Sequence, residues 1–173
     1  MQHYAIVAFP KVDIELIQTF RKKYDPLWNV IHPHITLVFP FSDIPEQLIL
    51  EHLETVSKTL KPFQIQLKDF TKSFDHYLFL LVQEGKEEIY KVHDLLYTGV
   101  LASQLRNDIP FLPHMTLGKF AKDNIFEEQL YNKALKEIQA LHLNIDTVFS
   151  NFSLIQGDGI LPAKIIKTFE LKS

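Results

Sequence analysis

The sequence contains no cysteine, so disulfides and cysteine-based zinc sites are excluded, and nothing in it points to an oxidising compartment. It also lacks a surplus of basic charge: the net charge is −3 and the isoelectric point about 6.2. A protein that grips long nucleic acid through many phosphates normally carries a basic surface, so no extended nucleic-acid surface is expected. No apolar run approaches the roughly 20 residues that a membrane helix needs. The opening MQHYAIVAFP runs straight into a strand-like segment, without the charged start, long apolar stretch and small-residue cleavage site of a signal peptide. A cytoplasmic protein away from the membrane is therefore expected. Glycine-rich phosphate loops are missing too: Gly157-Asp158-Gly159 has neither the length nor the strand-to-helix setting of one, and reads as a hairpin turn.

What remains is ample for a core. Of 173 residues, 46% are hydrophobic and 14 are Phe, enough to bury one without staples. Short apolar runs alternate with amphipathic stretches. Residues 4–9 and 76–82 are continuous apolar runs, the pattern of strands buried on both faces. Residues 34–39 are β-branched and aromatic and end at Pro40, which predicts another strand. Phe63, Ile65 and Leu67 alternate with polar residues, as do Leu143 and Ile145, predicting half-exposed strands. Four helices are expected. The first is capped by Asp13 and stopped by Pro26, and the second starts at Ser42 or Asp43 before Pro45. A third presents Ile89, Val92, Leu96 and Val100. The fourth, capped near Asn124, presents Leu130, Ala134, Ile138 and Leu141. A last hairpin turns at 156–159 and returns through 164–171.

The order repeats itself. HYAIVAF at 3–9 matches HYLFLLV at 76–82, and HPHITL at 32–37 matches FLPHMTL at 111–117, with an offset that drifts from 73 to 80 residues. No linker rich in Pro, Gly or Ser separates the halves, 1–73 and 74–173, so they should pack as one domain of two pseudo-symmetric lobes.

The chemistry lies in the second repeat, as Pro33-His34-Ile35-Thr36-Leu37 and Pro113-His114-Met115-Thr116-Leu117. On a strand, residues i and i+2 share a face, so each imidazole stands beside its own threonine hydroxyl while the intervening apolar residue enters the core. A phosphodiester needs a base for the attacking hydroxyl or water, an acid for the leaving oxygen, and donors for the oxygens between. Histidine, with an ordinary pKa near 6.5, suits both proton roles, and His34 and His114 are the candidate catalytic pair. Thr36 and Thr116 are the candidate phosphate donors, stabilising charge without a metal or other cofactor.

Paired H-x-T motifs about 80 residues apart in a duplicated chain of this length resemble the 2H phosphoesterase superfamily, with its bacterial 2′-5′ RNA ligase and cyclic phosphodiesterase branches. The resemblance covers essentially the whole chain. It implies a mixed α/β (α+β) fold of two lobes, each an antiparallel sheet with helices, and an active-site groove between them. It also implies metal-free hydrolysis of a cyclic or 2′-5′ phosphodiester in a nucleotide or RNA end, with ligation as the reverse direction. The expected partner is a small nucleotide or RNA end, met by a monomer. A nucleotide- or RNA-binding module with the same cleft and no turnover is the competing class.

Other residues carry weaker signals. His32 with His34 forms an H-x-H pair open to a metal, but no companion ligand stands at informative spacing. His3 and His76 are expected to be structural or solvent-facing, and His52, His93 and His142 to lie at the surface. Phe9 and Phe120 are placed in the core in preference to stacking on a base. Arg106 and Lys119 are candidate phosphate contacts, although strand parity turns Lys119 away from His114.

Overall fold

In the computed structural model, which describes residues 3–172, the apolar runs become strands with few surprises. β1 (His3–Ala8) leads into α1 (Ile14–Tyr24), whose first turn is capped by the Asp13 carboxylate accepting from the Glu15 N–H. β2 (Ile35–Phe41) does not stop at Pro40. Its ladder with β1 slips between the Tyr4–Phe41 and Ile6–Val38 pairs, and the bulge accommodates a residue that has no N–H to give. α2 (Glu46–Thr59) is flanked by Pro45 rather than by a side-chain cap, because the Ser42 hydroxyl bonds to the Asp43 carboxylate instead. β3 (Phe63–Lys72) and β4 (Tyr77–Glu84) form a hairpin.

α3 (Lys86–Leu96) ends before Val100, and a short 3₁₀ turn at Gly99–Gln104 changes the phase, so Leu101 is buried where Val100 was expected. After β5 (His114–Lys119) comes a small hairpin of β6 (Ala121–Lys122) and β7 (Ile125–Phe126). Its turn residues Asp123 and Asn124 both adopt positive φ, which suits Asp and Asn in tight hairpins. Asn124 is therefore a turn residue and not the cap of α4 (Glu128–Gln139). On that helix Tyr131, Ala134 and Ile138 are buried, while Leu130, and Leu141 beyond its end, are exposed. β8 (Asn144–Phe149), β9 (Asn151–Gly157) and β10 (Lys164–Glu170) complete the chain.

Eight strands form one antiparallel, curled sheet in the order β10-β9-β1-β2-β5-β4-β3-β8. It divides into two four-stranded groups that touch between β2 and β5 at one register pair, Ile35 with Met115. The sequence halves interleave across this divide. β3 lies beside β4, β9 lies beside β1 with β10 outside it, and the segment 144–157 pairs with β3 at its start and with β1 at its end. The helices follow the same exchange, α1 packing on β5 and α3 on β2.

The main core lies between the helices and one face of the sheet, where Ile6, Ala8, Ile35, Leu37, Leu80, Met115 and Leu117 are almost wholly excluded from water. The opposite face is the floor of a groove. Among the described residues no helix is long and apolar enough to cross a membrane.

Candidate functional site

The pairing of Ile35 with Met115 sets the geometry of the groove. Because the strands are antiparallel, continuing that register by one residue in each direction places His34 across from Thr116 and Thr36 across from His114. All four side chains then share the face opposite the core. They line a single cleft of about 590 Å³, whose walls include Phe39, Phe79, Leu112 and the β3–β4 turn at Ser73, Phe74 and Asp75.

The two motifs are built alike. From Ile31 to Val38 and from Phe111 to Gly118 the sequence of exposed, half-buried and buried positions is identical, residue for residue. Each histidine Nδ1 donates to the carbonyl two residues earlier: His34 to His32 at 2.8 Å, and His114 to Leu112 at 2.5 Å. The intervening Pro33 and Pro113 hold those carbonyl-bearing residues in extended backbone, which aims the acceptor at the ring. With the proton fixed on Nδ1, the neutral imidazole presents Nε2 as a base.

Both rings titrate far below the ordinary range, near pH 4. Desolvation in the cleft is the principal cause for each, opposed in part by the backbone hydrogen bond. At His34, the positive charges of Arg21 and of a protonated His114 lower the value further, and Asp25 raises it. At His114 the nearby Asp75 raises it. Both imidazoles are therefore neutral at pH 7.

The neighbours differ between the halves. Phe79, opposite Thr116 on β4, stacks on His114 with ring centroids 3.5 Å apart. On the other side Val7 is opposite Thr36, and the nearest ring to His34 is Phe9 at 6.2 Å and a steep tilt. These ladders equate Val7 with Phe79, whereas the sequence match of 3–9 with 76–82 aligns Val7 with Leu80. The two first strands are bulged, and the apparent repeat is one residue out of step there.

Arg21 was hidden in a basic run. It is buried at 2% exposure, pairs with Asp25 at 2.7 Å, and donates to the Gln18 side chain and the Ile31 carbonyl. Its spacing from Ile17 and Asp25, four residues each way, is the signal that sets it apart from Lys22 and Lys23. Arg106 does reach the cleft edge, but its guanidinium is held bidentately by Asp108 at 2.6 and 2.7 Å. Lys119 is exposed and lies over the ring of Tyr77 at the cleft wall, because a bulge after Leu78 pairs it with Tyr77 and overrides simple strand parity. Lys72 is a cleft cation that the sequence pattern did not mark.

His32 opens onto a separate depression beside Trp28 and Pro162, so it does not converge with His34 on one point. Among the described residues no group of three His, Asp or Glu is placed to hold a metal ion. His93, expected at the surface, is buried and stacks on Phe111 at 3.9 Å. His52 is half-buried and bonds to the Leu96 carbonyl, while His3 and His142 are exposed. His76 is half-buried against Phe126, and Phe120 is in the core.

Comparison with known proteins bears on this arrangement. Residues 9–159 match the family model described as the 2′-5′ RNA ligase superfamily. A Bacillus licheniformis protein named "Putative phosphoesterase" is 30% identical over 156 residues, covering 88% of each chain. A similarly named Geobacillus kaustophilus protein is 30% identical over 121 residues, covering 67% of this chain and 68% of its own. Among solved structures, Escherichia coli LigT in apo form superposes with a TM-score of 0.63 at 17% identity, covering 99% of this chain and 98% of its own. TT0787 of Thermus thermophilus does so at 0.64 and 16%, covering 98% and 97%. LigT has also been crystallised in complex with 3′-AMP. The four helices, the doubled motif and every strand of the sheet but β1 and β10 fall within the matched span: the chain belongs to the 2′-5′ RNA ligase superfamily, the 2H phosphoesterases.

Proposed function

We propose that the chain is a metal-independent phosphodiesterase acting on a cyclic or 2′-5′ phosphodiester of a nucleotide or RNA end, with His34 and His114 as acid–base partners. One observation carries the reading: the antiparallel Ile35–Met115 contact turns both His-x-Thr pairs onto one face of one cleft. The phosphoesterase names of its relatives point the same way.

In hydrolysis, Nε2 of one neutral imidazole takes a proton from water as the water oxygen bonds to phosphorus. The other imidazole enters as the acid and gives its Nε2 proton to the departing ester oxygen as the P–O bond breaks. Since both rings are neutral in the free protein, the acid takes up its proton from solvent as the anionic substrate binds. A phosphodiester monoanion in a poorly hydrated cleft raises the affinity of an adjacent imidazole for a proton. Thr36 and Thr116 donate to the non-bridging oxygens as charge gathers on them.

The test is turnover of 2′,3′-cyclic nucleotides and 2′-5′-linked dinucleotides by the intact protein, with and without EDTA. Activity is expected to persist in EDTA and to fall on the order of 10³–10⁴-fold in His34→Ala and in His114→Ala. Near-normal turnover in both single variants defeats the mechanism. Saturable binding without turnover across the panel assigns the cleft to a binding module instead.

A further inference from the structure

The two halves of the groove differ in what floors them. On the His114 side the residue opposite the threonine is Phe79. On the His34 side it is Val7, and two residues back Ala5 is paired with Ile155. Period-2 alternation puts Ala5, Val7 and Ile155 on the same face as Thr36. Small side chains there leave a hollow of about 310 Å³, which shares Leu27, Ile31, His34, Thr36 and Pro40 with the central cleft.

The hollow is built as apolar. Ala5, Val7 and Ile155 form a small cluster of their own, with Phe9, Ile31 and Ala163 packed against it, separate from the main core. No ring stacks on His34 there as Phe79 does on His114: Phe9 stands 6.2 Å from His34 and tilted by 60°. Two polar groups at its rim are engaged, the Tyr4 hydroxyl donating to Glu46 and the Asp158 carboxylate accepting from the Ile160 and Leu161 N–H groups, while His3 is exposed at the edge. Past Gly159 the same loop exposes Ile160 at 78% and Leu161 at 65%. Polar groups stand at the rim and its floor offers apolar contact, which suits a hydrocarbon group.

We propose that this hollow is a subsite for an aliphatic substituent on the scissile phosphodiester. The phosphate then lies between the two His-Thr pairs, an aromatic or nucleoside group lies against Phe79, and a hydrocarbon group lies on Val7, Ile155 and Ala163. The proposal rests on the phosphodiesterase reading above and adds the chemistry of one ester arm.

The test is a homologous series of monoalkyl esters of phenylphosphonic acid, methyl to hexyl, measured by calorimetry on the intact protein. These are singly charged analogues of a diester in which a P–C bond replaces the aryl ester and the remaining alkoxide is a poor leaving group. Affinity is expected to rise on the order of fourfold per methylene until the hollow is full. A polar chain of equal length, such as methoxyethyl, should gain nothing. Ala163→Phe fills the hollow from its loop side and should flatten the series. A flat series in the unaltered protein overturns the proposal. The p-nitrophenyl alkyl phosphates, assayed in parallel, separate it from the parent reading. A rising affinity series without turnover keeps the subsite and removes the enzyme; turnover with a flat series does the reverse.

Discussion

An imidazole that titrates near pH 4 is a poor reservoir of protons at neutrality, and this shapes what the two histidines can do. The free protein holds two bases. In the mechanism proposed above, an acid appears when the substrate's charge lifts one of them. The pH dependence of kcat/KM reports the free protein, and that of kcat the complex. The alkaline limb of kcat is therefore expected at higher pH than that of kcat/KM, and phosphate should move at least one histidine resonance to higher pKa in an NMR titration. Coincident limbs and phosphate-insensitive resonances contradict this. The threonines act differently, since each loses one donor when replaced. Thr36→Val and Thr116→Val should each lower kcat on the order of 10²-fold with the pH profile unmoved. At this scale the sequence was most informative, because a doubled Pro-His-x-Thr-Leu names the residues without coordinates. Phe79 and Arg21 were not legible in the same way. One lies within an uninterrupted apolar run and the other within a run of cations, so their roles depend on which face of an element is turned inward.

Elements are where local pattern and tertiary context part company. Pro40 predicted a strand end, yet a bulge absorbs it; Asn124 predicted a cap, yet a hairpin claims it. In both places the propensity was read correctly and its structural use was decided by a neighbouring strand. The connection from α1 to β2 shows the same dependence in energetic terms. Arg21 and Asp25 are 2% and 5% exposed, and the guanidinium also fastens Ile31, three residues before His34. Removing one partner of such a pair leaves a buried charge, at a cost of about 3–5 kcal/mol. Arg21→Met should lower the melting temperature by roughly 10 °C by calorimetry. Arg21→Met with Asp25→Leu should regain most of it, yet leave kcat reduced, because the Ile31 carbonyl still lacks its donor. A double variant with full activity would mean that this cluster supports the fold alone.

At the scale of the whole molecule the repeat in the sequence misleads in one respect. It shows two like halves but not which half supplies the neighbours of each strand. β3 belongs to the first half by sequence and to the second by hydrogen bonding, and β9 and β10 do the opposite. Nothing in the composition of an antiparallel strand specifies its partner at that distance, so the exchange is visible only in the ladders. Its consequence is cooperative. A chain divided at 73/74 would separate β3 from β4 and β8, and β1 from β9, leaving open edges and an uncovered core on each piece. We expect the intact protein to unfold in a single transition, with circular dichroism and Trp28 fluorescence coincident, and the fragment 1–73 to be unfolded by itself. Acid should weaken that single transition in a definite window. The two cleft imidazoles bind protons near pH 4 when folded and near 6.5 when unfolded, so the unfolded chain holds more protons between those values. Their contribution to stability is complete above about pH 6.5 and is lost as the pH falls toward 4. His34→Gln and His114→Gln should each make the urea midpoint less steeply dependent on pH within that interval, and a slope unchanged by either replacement would place the acid sensitivity elsewhere.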